Sequence, residues 1–275
     1  MLFNQLYNFK HAASGQVLLN SLDQHQTPAV KLCGEYSEGE VDVFRAILKP
    51  NSVVIEVGAC FGLHTLALAE LVGQGKVLAL EPQFFNYQVL VANLALNSVL
   101  NVIPRQAAAG ATCGTCKVPI YSPEHSNNFG QMPALGHTEG TAVDLISIDS
   151  INLGALTLIK IDCEGNEPEV LEGAKHTIST LKPWIYLEFT DNREKLLSFF
   201  REMGYLCKRH MPYHTRQPNH LGADLSGKVI FGSDMLLAWP SELPQPVFPA
   251  DWREPDLTDI LSVNTNNVNA LTPYN

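Results

Sequence analysis

Charge is scarce in this chain. Of its 275 residues, 17% are Asp, Glu, Lys or Arg, against about 25% in an ordinary globular domain. Positive charge is scarcer still: 18 Lys and Arg stand against 28 Asp and Glu, a formal net charge of −10. With no dominant basic face, the composition argues against a broad nucleic-acid footprint and against an anionic membrane surface. Long apolar runs are missing as well. No segment approaches the roughly 20 residues of a membrane span. The N-terminal MLFNQLYNFKHAASG lacks the continuous apolar stretch of a secretory leader, so the reading is a cytoplasmic protein. Apolar residues still make up 45%, too many for wholesale disorder and enough for a full core. The length suits one large domain or two small ones.

Six cysteines do not amount to a disulfide framework at this length. Cys60, Cys163 and Cys207 sit in apolar surroundings, as reduced core thiols do. Only Cys113-Gly-Thr-Cys116 has metal-ligand spacing, and no second pair follows, although His125 and His137 are nearby. A turn with two incidental thiols is expected, and no metal.

The chain shows no internal repeat. Val41, Phe44, Ile47 and Leu48 share one face of a helix over 35–48, and Pro50 stops it. SVVIEV over 52–57 reads as a buried strand, Gly58–Gly62 as a turn, and 64–72 as a helix. A strand over 76–80, a helix over 84–97 and a strand over 102–109 complete a βαβαβ order, which implies parallel strands and right-handed crossovers. The stretch 110–140 breaks the alternation; it is rich in Gly, Pro, Ser and Asn and has one possible hairpin strand at 117–121. Insertions of this length are usually functional lids. Regularity returns with strands over 156–161, 183–189, 205–209 and 234–239 and helices over 168–181 and 192–203. From Pro240 the chain carries five prolines before residue 256 and an Asn-rich end, which reads as an extended arm. The division expected is an N-terminal extension over 1–34, a main domain over 35–239 and a C-terminal arm over 240–275.

Three constellations carry chemistry. Glu56-Val-Gly58-Ala59-Cys60-Phe61-Gly62 ends the first strand of the alternation, where ligands of doubly wound sheets bind. The glycines stand as Gly-x-x-x-Gly, so the dinucleotide signature Gly-x-Gly-x-x-Gly is absent, and an acid two residues before Gly58 suits a cationic ligand. Glu81 ends the next strand, 19 residues after Gly62; a carboxylate there can accept both hydroxyls of a ribose. Together they describe a positively charged nucleoside without a pyrophosphate, and S-adenosylmethionine fits. The third is Ile159-Lys160-Ile161-Asp162-Cys163-Glu164-Gly165-Asn166-Glu167 at the same sheet edge. Glu167 and Glu169 suit the start of the following helix. Asp162 and Glu164 are like charges on a tight turn, which are costly unless a ligand uses them.

On these segments (VVIEVGACFGLHTLALA, VLALEP, LIKIDCEGNEPEVLEGA, KPWIYLEF and SDMLLAWP) the chain resembles the FkbM-type S-adenosylmethionine-dependent methyltransferases from about Glu35 to Trp239. The resemblance implies an α/β, Rossmann-like class I methyltransferase fold: a central seven-stranded, mostly parallel sheet with helices on both faces. It implies that Glu56, Gly58, Ala59, Gly62 and Thr65 bind the methionine part of the cofactor, that Glu81 holds the ribose, and that Asp162 and Glu164 face the transferring methyl. Cys60 departs from the family, where Asn is frequent. The implied activity is methyl transfer to a hydroxyl of a small molecule or glycan, with S-adenosyl-L-homocysteine as product. Asp162 or Glu164 is the expected base, with His64 as the alternative and Glu188 as a further acid at the site edge.

For the acceptor, six Lys and Arg against three acids between Asp191 and Arg216 form a local positive region. Arg209 and Arg216 are candidates to grip a carboxylate or phosphate. Asn128, within Asn127-Asn128-Phe129-Gly130, is a candidate lid residue. The competing readings are an N-methyltransferase, whose usual Asn-Pro-Pro-Tyr motif is replaced here by Asp162-Cys163-Glu164-Gly165, a cofactor-binding partner protein without transfer activity, and a nicotinamide oxidoreductase, which the glycine spacing disfavours. A homo-oligomer is left open.

Overall fold

A hairpin opens the chain: β1 (Tyr7–Ala12) pairs antiparallel with β2 (Gly15–Asn20). Two helices follow, α1 (Gln26–Cys33) and α2 (Glu38–Ile47). The alternation then runs β3 (Val53–Val57), α3 (Leu63–Val72), β4 (Lys76–Leu80), α4 (Phe84–Leu96) and β5 (Val102–Arg105). Three short strands, β6 (Ala107–Ala109), β7 (Gly114–Val118) and β8 (Thr141–Ile146), form a sheet of their own in the order β6-β8-β7. The last part is β9 (Leu158–Ile161), α5 (Glu167–Glu172), α6 (Lys175–Leu181), β10 (Trp184–Glu188), α7 (Arg193–Glu202), β11 (Tyr205–His210) and β12 (Met235–Pro240). This computed structural model describes residues 6–119, 121–125, 127–228 and 231–243. The arm expected from Pro240 onward therefore lies, from 244, outside the described residues.

The main sheet has seven strands in the order β11-β12-β10-β9-β3-β4-β5. Strands β10, β9, β3, β4 and β5 are parallel, and β12 is antiparallel to both its neighbours. The expected seven-stranded, mostly parallel sheet is what forms. Its central strands are apolar on both faces because both faces are covered. Alternate residues of each strand point opposite ways. Val54, Leu158 and Tyr186 pack with Phe44 of α2 and Leu68 of α3. Ile55, Ile159 and Ile185 pack with Leu171, Ile178 and Leu196 of α5, α6 and α7. The chain runs outward from β3 through β4 to β5, then returns to the other side of β3 for β9. That reversal opens a crevice beyond the carboxyl ends of β3 and β9.

Four elements differ from the sequence expectation. The strand expected over 102–109 divides at Gln106, and its second half joins β8 in the small sheet. The hairpin strand expected at 117–121 runs over Gly114–Val118, so Cys116 lies in a strand rather than a turn. All six cysteines are free thiols. The helix expected over 168–181 breaks at Gly173-Ala174, where the Gly173 carbonyl accepts the backbone N–H of Asp149 and the Ser147 hydroxyl. A Cβ on Gly173 would overlap the backbone of Gly110, so this packing needs the glycine. The N-terminal segment is the fourth. Val17 and Leu19 are fully buried against Leu90 and Leu94 of α4. Asn93 accepts the Leu18 N–H at 2.6 Å and donates to its carbonyl at 3.1 Å, as a neighbouring strand would. Asn97 treats Gln16 the same way. Among the described residues, no helix is long and apolar enough to cross a membrane.

Candidate active site

The crevice is built first by the turn after β3. Gly58 has φ +83°, and a Cβ on it would sit 2.9 Å from the carbonyl carbon of Asp162 and closer still to its oxygen. Only glycine lets the two strand ends approach this closely. The N–H groups of Gly58 and Ala59 both donate to the Leu80 carbonyl. Gly62, φ +84°, starts α3, and the space of its missing side chain is taken by Leu90, whose Cδ1 would lie 2.6 Å from a Cβ.

Two carboxylates are locked around that turn. Glu81 accepts the N–H of Cys60 through one oxygen and of Gln83 through the other, each at 2.8 Å. Burial nevertheless pushes its pKa up to about 7. The Cys60 contact is made by its backbone, so the departure from Asn leaves it in place. Glu56 is completely buried; the Thr65 hydroxyl donates to its Oε2 at 2.5 Å, while Oε1 has no partner. Burial raises its pKa, and the Lys160 ammonium opposes the rise.

The end of β9 supplies the second side. Lys160 is buried and donates to Asp162 Oδ2 at 3.1 Å. Burial disfavours its ammonium, but Asp162, Glu56 and Glu40 outweigh burial and its pKa rises. The next turn holds Glu164 at φ +56° and Gly165 at φ +88°, which turns Glu164 back toward the end of β10. Carboxylate oxygens of Asp162, Glu164 and Glu188 lie within 4.8 Å of one another. Burial, then Asp162, push Glu164 up to about 8 and Glu188 up to about 10. Three acids at this spacing hold protons between them or hold a cation.

The third side is aromatic. His64 packs against Tyr36 and Phe44. Its Nε2 is buried and without a partner. Burial, then Lys160, hold its pKa well below the usual value, so the ring is neutral. His214 meets Ser233 Oγ at 2.9 Å, lies edge-on to His25 at 4.9 Å, and burial lowers its pKa to about 3. Over the top runs the segment 127–131. Asn127 accepts the N–H of Gln24 and donates to Leu22, and Asn86 donates to the Phe129 carbonyl. Asn128, Gly130 and Gln131 line the crevice beneath.

The crevice has a volume of about 330 Å³. A narrower cleft of about 30 Å³ adjoins it, lined by Leu80, Asn86, Ala108 and Phe129, and shares Gly58, Glu81, Gly130 and Asp162 with it.

The residues expected from sequence divide into three groups. Glu56, Gly58, Ala59, His64 and Glu81 line the main crevice together with Asn128, Asp162, Glu164 and Glu188. Gly62 and Thr65 stand behind it, one giving way to Leu90 and the other anchoring Glu56. Arg209 and Arg216 do not reach it. Arg209 is 1% exposed and binds Asp234 through Nε at 2.7 Å and Nη2 at 2.6 Å. Arg216 pairs with Glu35, Glu38 and Asp42 of the α2 region. Four of the six bases counted there, Arg193, Lys195, Arg209 and Arg216, pair with acids from elsewhere in the chain. Lys160, which the sequence put at this sheet edge, lines the crevice as well. Reasoning from sequence missed His25, Tyr36 and Asp234 as lining residues. They had no signal, because they reach the crevice from separate parts of the chain.

The Methyltransferase FkbM domain family matches residues 56–207. Among curated proteins, the chain is 27% identical over 161 residues to "Methyltransferase sdnD" of Sordaria araneosa, covering 46% of this chain and 62% of that protein. It is 22% identical over 202 residues to "Methyltransferase 1" of Beauveria bassiana, covering 64% and 81%. Among solved structures, "Methyltransferase FkbM" from Methylobacillus flagellatus is 20% identical with a TM-score of 0.46, covering 78% of this chain and 57% of that one. M. jannaschii TYW2 in complex with AdoMet is 13% identical with a TM-score of 0.49, covering 87% and 89%. The chain thus spans less than two thirds of sdnD and of the Methylobacillus protein.

Proposed function

The chain belongs to the FkbM methyltransferase family, and from that membership we propose that it transfers the methyl group of S-adenosylmethionine to a hydroxyl of a small molecule or sugar. The observation that carries the cofactor half is Glu56 Oε1, a fully buried carboxylate oxygen with no partner in the wall of the crevice. It suits an α-ammonium group. Gly58, stripped of a side chain, lets a ligand lie against the backbone. Both Glu81 oxygens already accept an N–H, yet each keeps a lone pair for one hydroxyl of a ribose. Glu56, the glycine turn and Glu81 would hold the cofactor, which would supply an electrophilic methyl group on sulfur.

What the chain's own residues contribute is position and proton management. Asp162 is the proton acceptor in this reading. Its carboxylate is partly open to the crevice, and the buried Lys160 ammonium balances its charge. Glu164 is the less available base, because near neutrality its raised pKa leaves it largely protonated. His64 Nε2, neutral and unpartnered, is placed to accept a hydrogen bond from the acceptor hydroxyl. The lid and the aromatic side exclude water.

The test measures S-adenosylhomocysteine release in Asp162→Asn and Glu164→Gln, beside calorimetric affinity for S-adenosylmethionine, S-adenosylhomocysteine and NAD. The expected result is a loss of turnover of about 10²-fold or more in Asp162→Asn, a smaller loss in Glu164→Gln, and cofactor affinity close to wild type in both. Full turnover in both variants, or binding of NAD alone, overturns the reading.

A further inference from the structure

The crevice offers hydrogen-bond acceptors that nothing in the protein satisfies. Glu56 Oε1, His64 Nε2 and Glu188 Oε2 are buried and without partners, and all three side chains line the same cavity. A buried polar atom left unpaired is unfavourable until a ligand pairs it, so these atoms mark where donors enter. Glu56 lies at the glycine turn, on the side read above as the cofactor's. His64 and Glu188 remain for the acceptor. His64 is 8% exposed. Burial, then Lys160, keep its ring neutral, so it offers no positive charge to an anion and suits a hydroxyl.

The charges agree. Among the described lining residues, Lys160 is the one lysine or arginine, and it is bound to Asp162. Arg193 and Arg209 are turned to Asp234. Glu167 and Asp191 add to the negative field at Glu164. The cofactor of the proposed reaction brings one net positive charge, the sulfonium, and Asp162 is the acid whose backbone packs against Gly58 of the glycine turn. Glu164 and Glu188 then stand together with no cation of the protein to face; burial and their mutual repulsion keep protons on them, and an entering ammonium favours the charged carboxylates and displaces those protons.

Resting on the methyl-transfer reading, we propose that the acceptor is an amine-bearing polyol, an amino sugar or amino alcohol, whose ammonium sits between Glu164 and Glu188 while the hydroxyl to be methylated is held at His64 Nε2 and Asp162. An acceptor carrying a carboxylate or phosphate on that side meets two acids and no base. The expected anionic acceptor is thereby replaced by a cationic one, and the arginines that were to grip it are engaged elsewhere.

The experiment uses the full chain with S-adenosylmethionine. Glucosamine, galactosamine and serinol are each compared with the neutral counterpart (glucose, galactose, glycerol) and with glucuronate, with EDTA or with Mg²⁺, and S-adenosylhomocysteine release is measured. Cofactor affinity is measured separately. The expected result is turnover at least about tenfold higher with an amine than with its neutral counterpart, none with glucuronate, and indifference to EDTA. Glu164→Gln/Glu188→Gln, which removes like charges and so does not threaten folding, should bring the amine-to-neutral ratio toward one and keep affinity for S-adenosylhomocysteine. If the cofactor binds but no amine is methylated, or a neutral or acidic sugar does as well, the inference is overturned. It is overturned too if turnover requires Mg²⁺, which would give the three carboxylates to a divalent ion. If neither S-adenosylmethionine nor S-adenosylhomocysteine binds, the methyl-transfer reading fails instead.

Discussion

Gly58→Ala is the sharpest perturbation of this site, and Gly204→Ala is its control. Both glycines have positive φ, +83° and +74°. Gly204 follows α7, and a Cβ there meets nothing within 4 Å. Its substitution should cost only the left-handed backbone, about 1–2 kcal/mol. At Gly58 the same backbone cost applies, and the new methyl runs into the Asp162 carbonyl. Overpacking of this kind adds about 1–3 kcal/mol, for a total of about 2–5 kcal/mol. At roughly 2–4 °C per kcal/mol for a domain of this size, Gly204→Ala should lower Tm by roughly 2–8 °C and Gly58→Ala by roughly 4–20 °C. The diagnostic readout is binding. Relief of the overlap requires the turn and the β9 end to separate, which moves Glu56, Asp162 and the Cys60 N–H–Glu81 contact together. Calorimetry with S-adenosylhomocysteine should therefore show wild-type affinity in Gly204→Ala and a loss of at least about tenfold in Gly58→Ala, since displacements near 1 Å at a built site carry effects of that order or greater. Equal stability losses in the two variants together with equal, undiminished affinity would refute the claim that Gly58 exists to bring the two strand ends together.

Three further outcomes follow from particular contacts. Asn93→Leu strands the Leu18 N–H and carbonyl and the Phe61 carbonyl that the side chain now satisfies, so the melting free energy should fall by about 2–3 kcal/mol, with the N-terminal hairpin gaining hydrogen exchange first. Arg209→Met leaves Asp234 buried with Arg193 as its remaining guanidinium, and a drop of about 3 kcal/mol without a change in the acceptor's KM should be found; a raised KM at unchanged stability would restore Arg209 to the acceptor site. The pH dependence has a definite sign: burial raises Glu40 and Glu81 to about 7 and Glu164 to about 8. The folded state therefore binds more protons than the unfolded one between the ordinary carboxylate value and these, and Tm of the ligand-free protein should fall as pH rises from about 5 to 8. A Tm that climbs over that interval would contradict the burial of these acids.

What could be read in the sequence was what is local. SVVIEV, VLAL and LIKI announce strands buried on both faces, and each is followed by the residue types a ligand site needs, so the strand ends and their acids were legible together. The glycine turn was legible because only glycine reaches positive φ cheaply. The failures share a cause. Gln106 ends one strand and begins another because β8, more than thirty residues later, offers a different partner. The hairpin of β1 and β2 has no strong periodicity of its own and is held by two asparagines of α4, at sequence separations of 75 and 81. Arg209 and Arg216 looked free because the acids they bind are 25 and 174 residues away. A count of charges along a stretch of sequence cannot register a partner brought in by topology.

The same division runs through the crevice. The stretch matched to the family, residues 56–207, contains the glycine turn, Glu81, Lys160, Asp162, Glu164 and Glu188, which are the groups the proposed chemistry itself requires. His25 and Tyr36 come from before it, and His214, Ser233 and Asp234 from after it. The segment 127–131 lies within the match, yet Asn127 is fastened by Leu22 and Gln24 of the N-terminal segment. Membership of the family thus speaks for the reaction and says little about the acceptor, because much of the aromatic side and the anchor of that segment are supplied by the flanks. The unpartnered Nε2 of His64 sits where the two sources meet: its ring begins α3 inside the matched stretch, and Tyr36, against which the ring packs, lies outside it. On the proposed reading, change at Tyr36 would therefore act on the acceptor through His64 while leaving the cofactor turn intact.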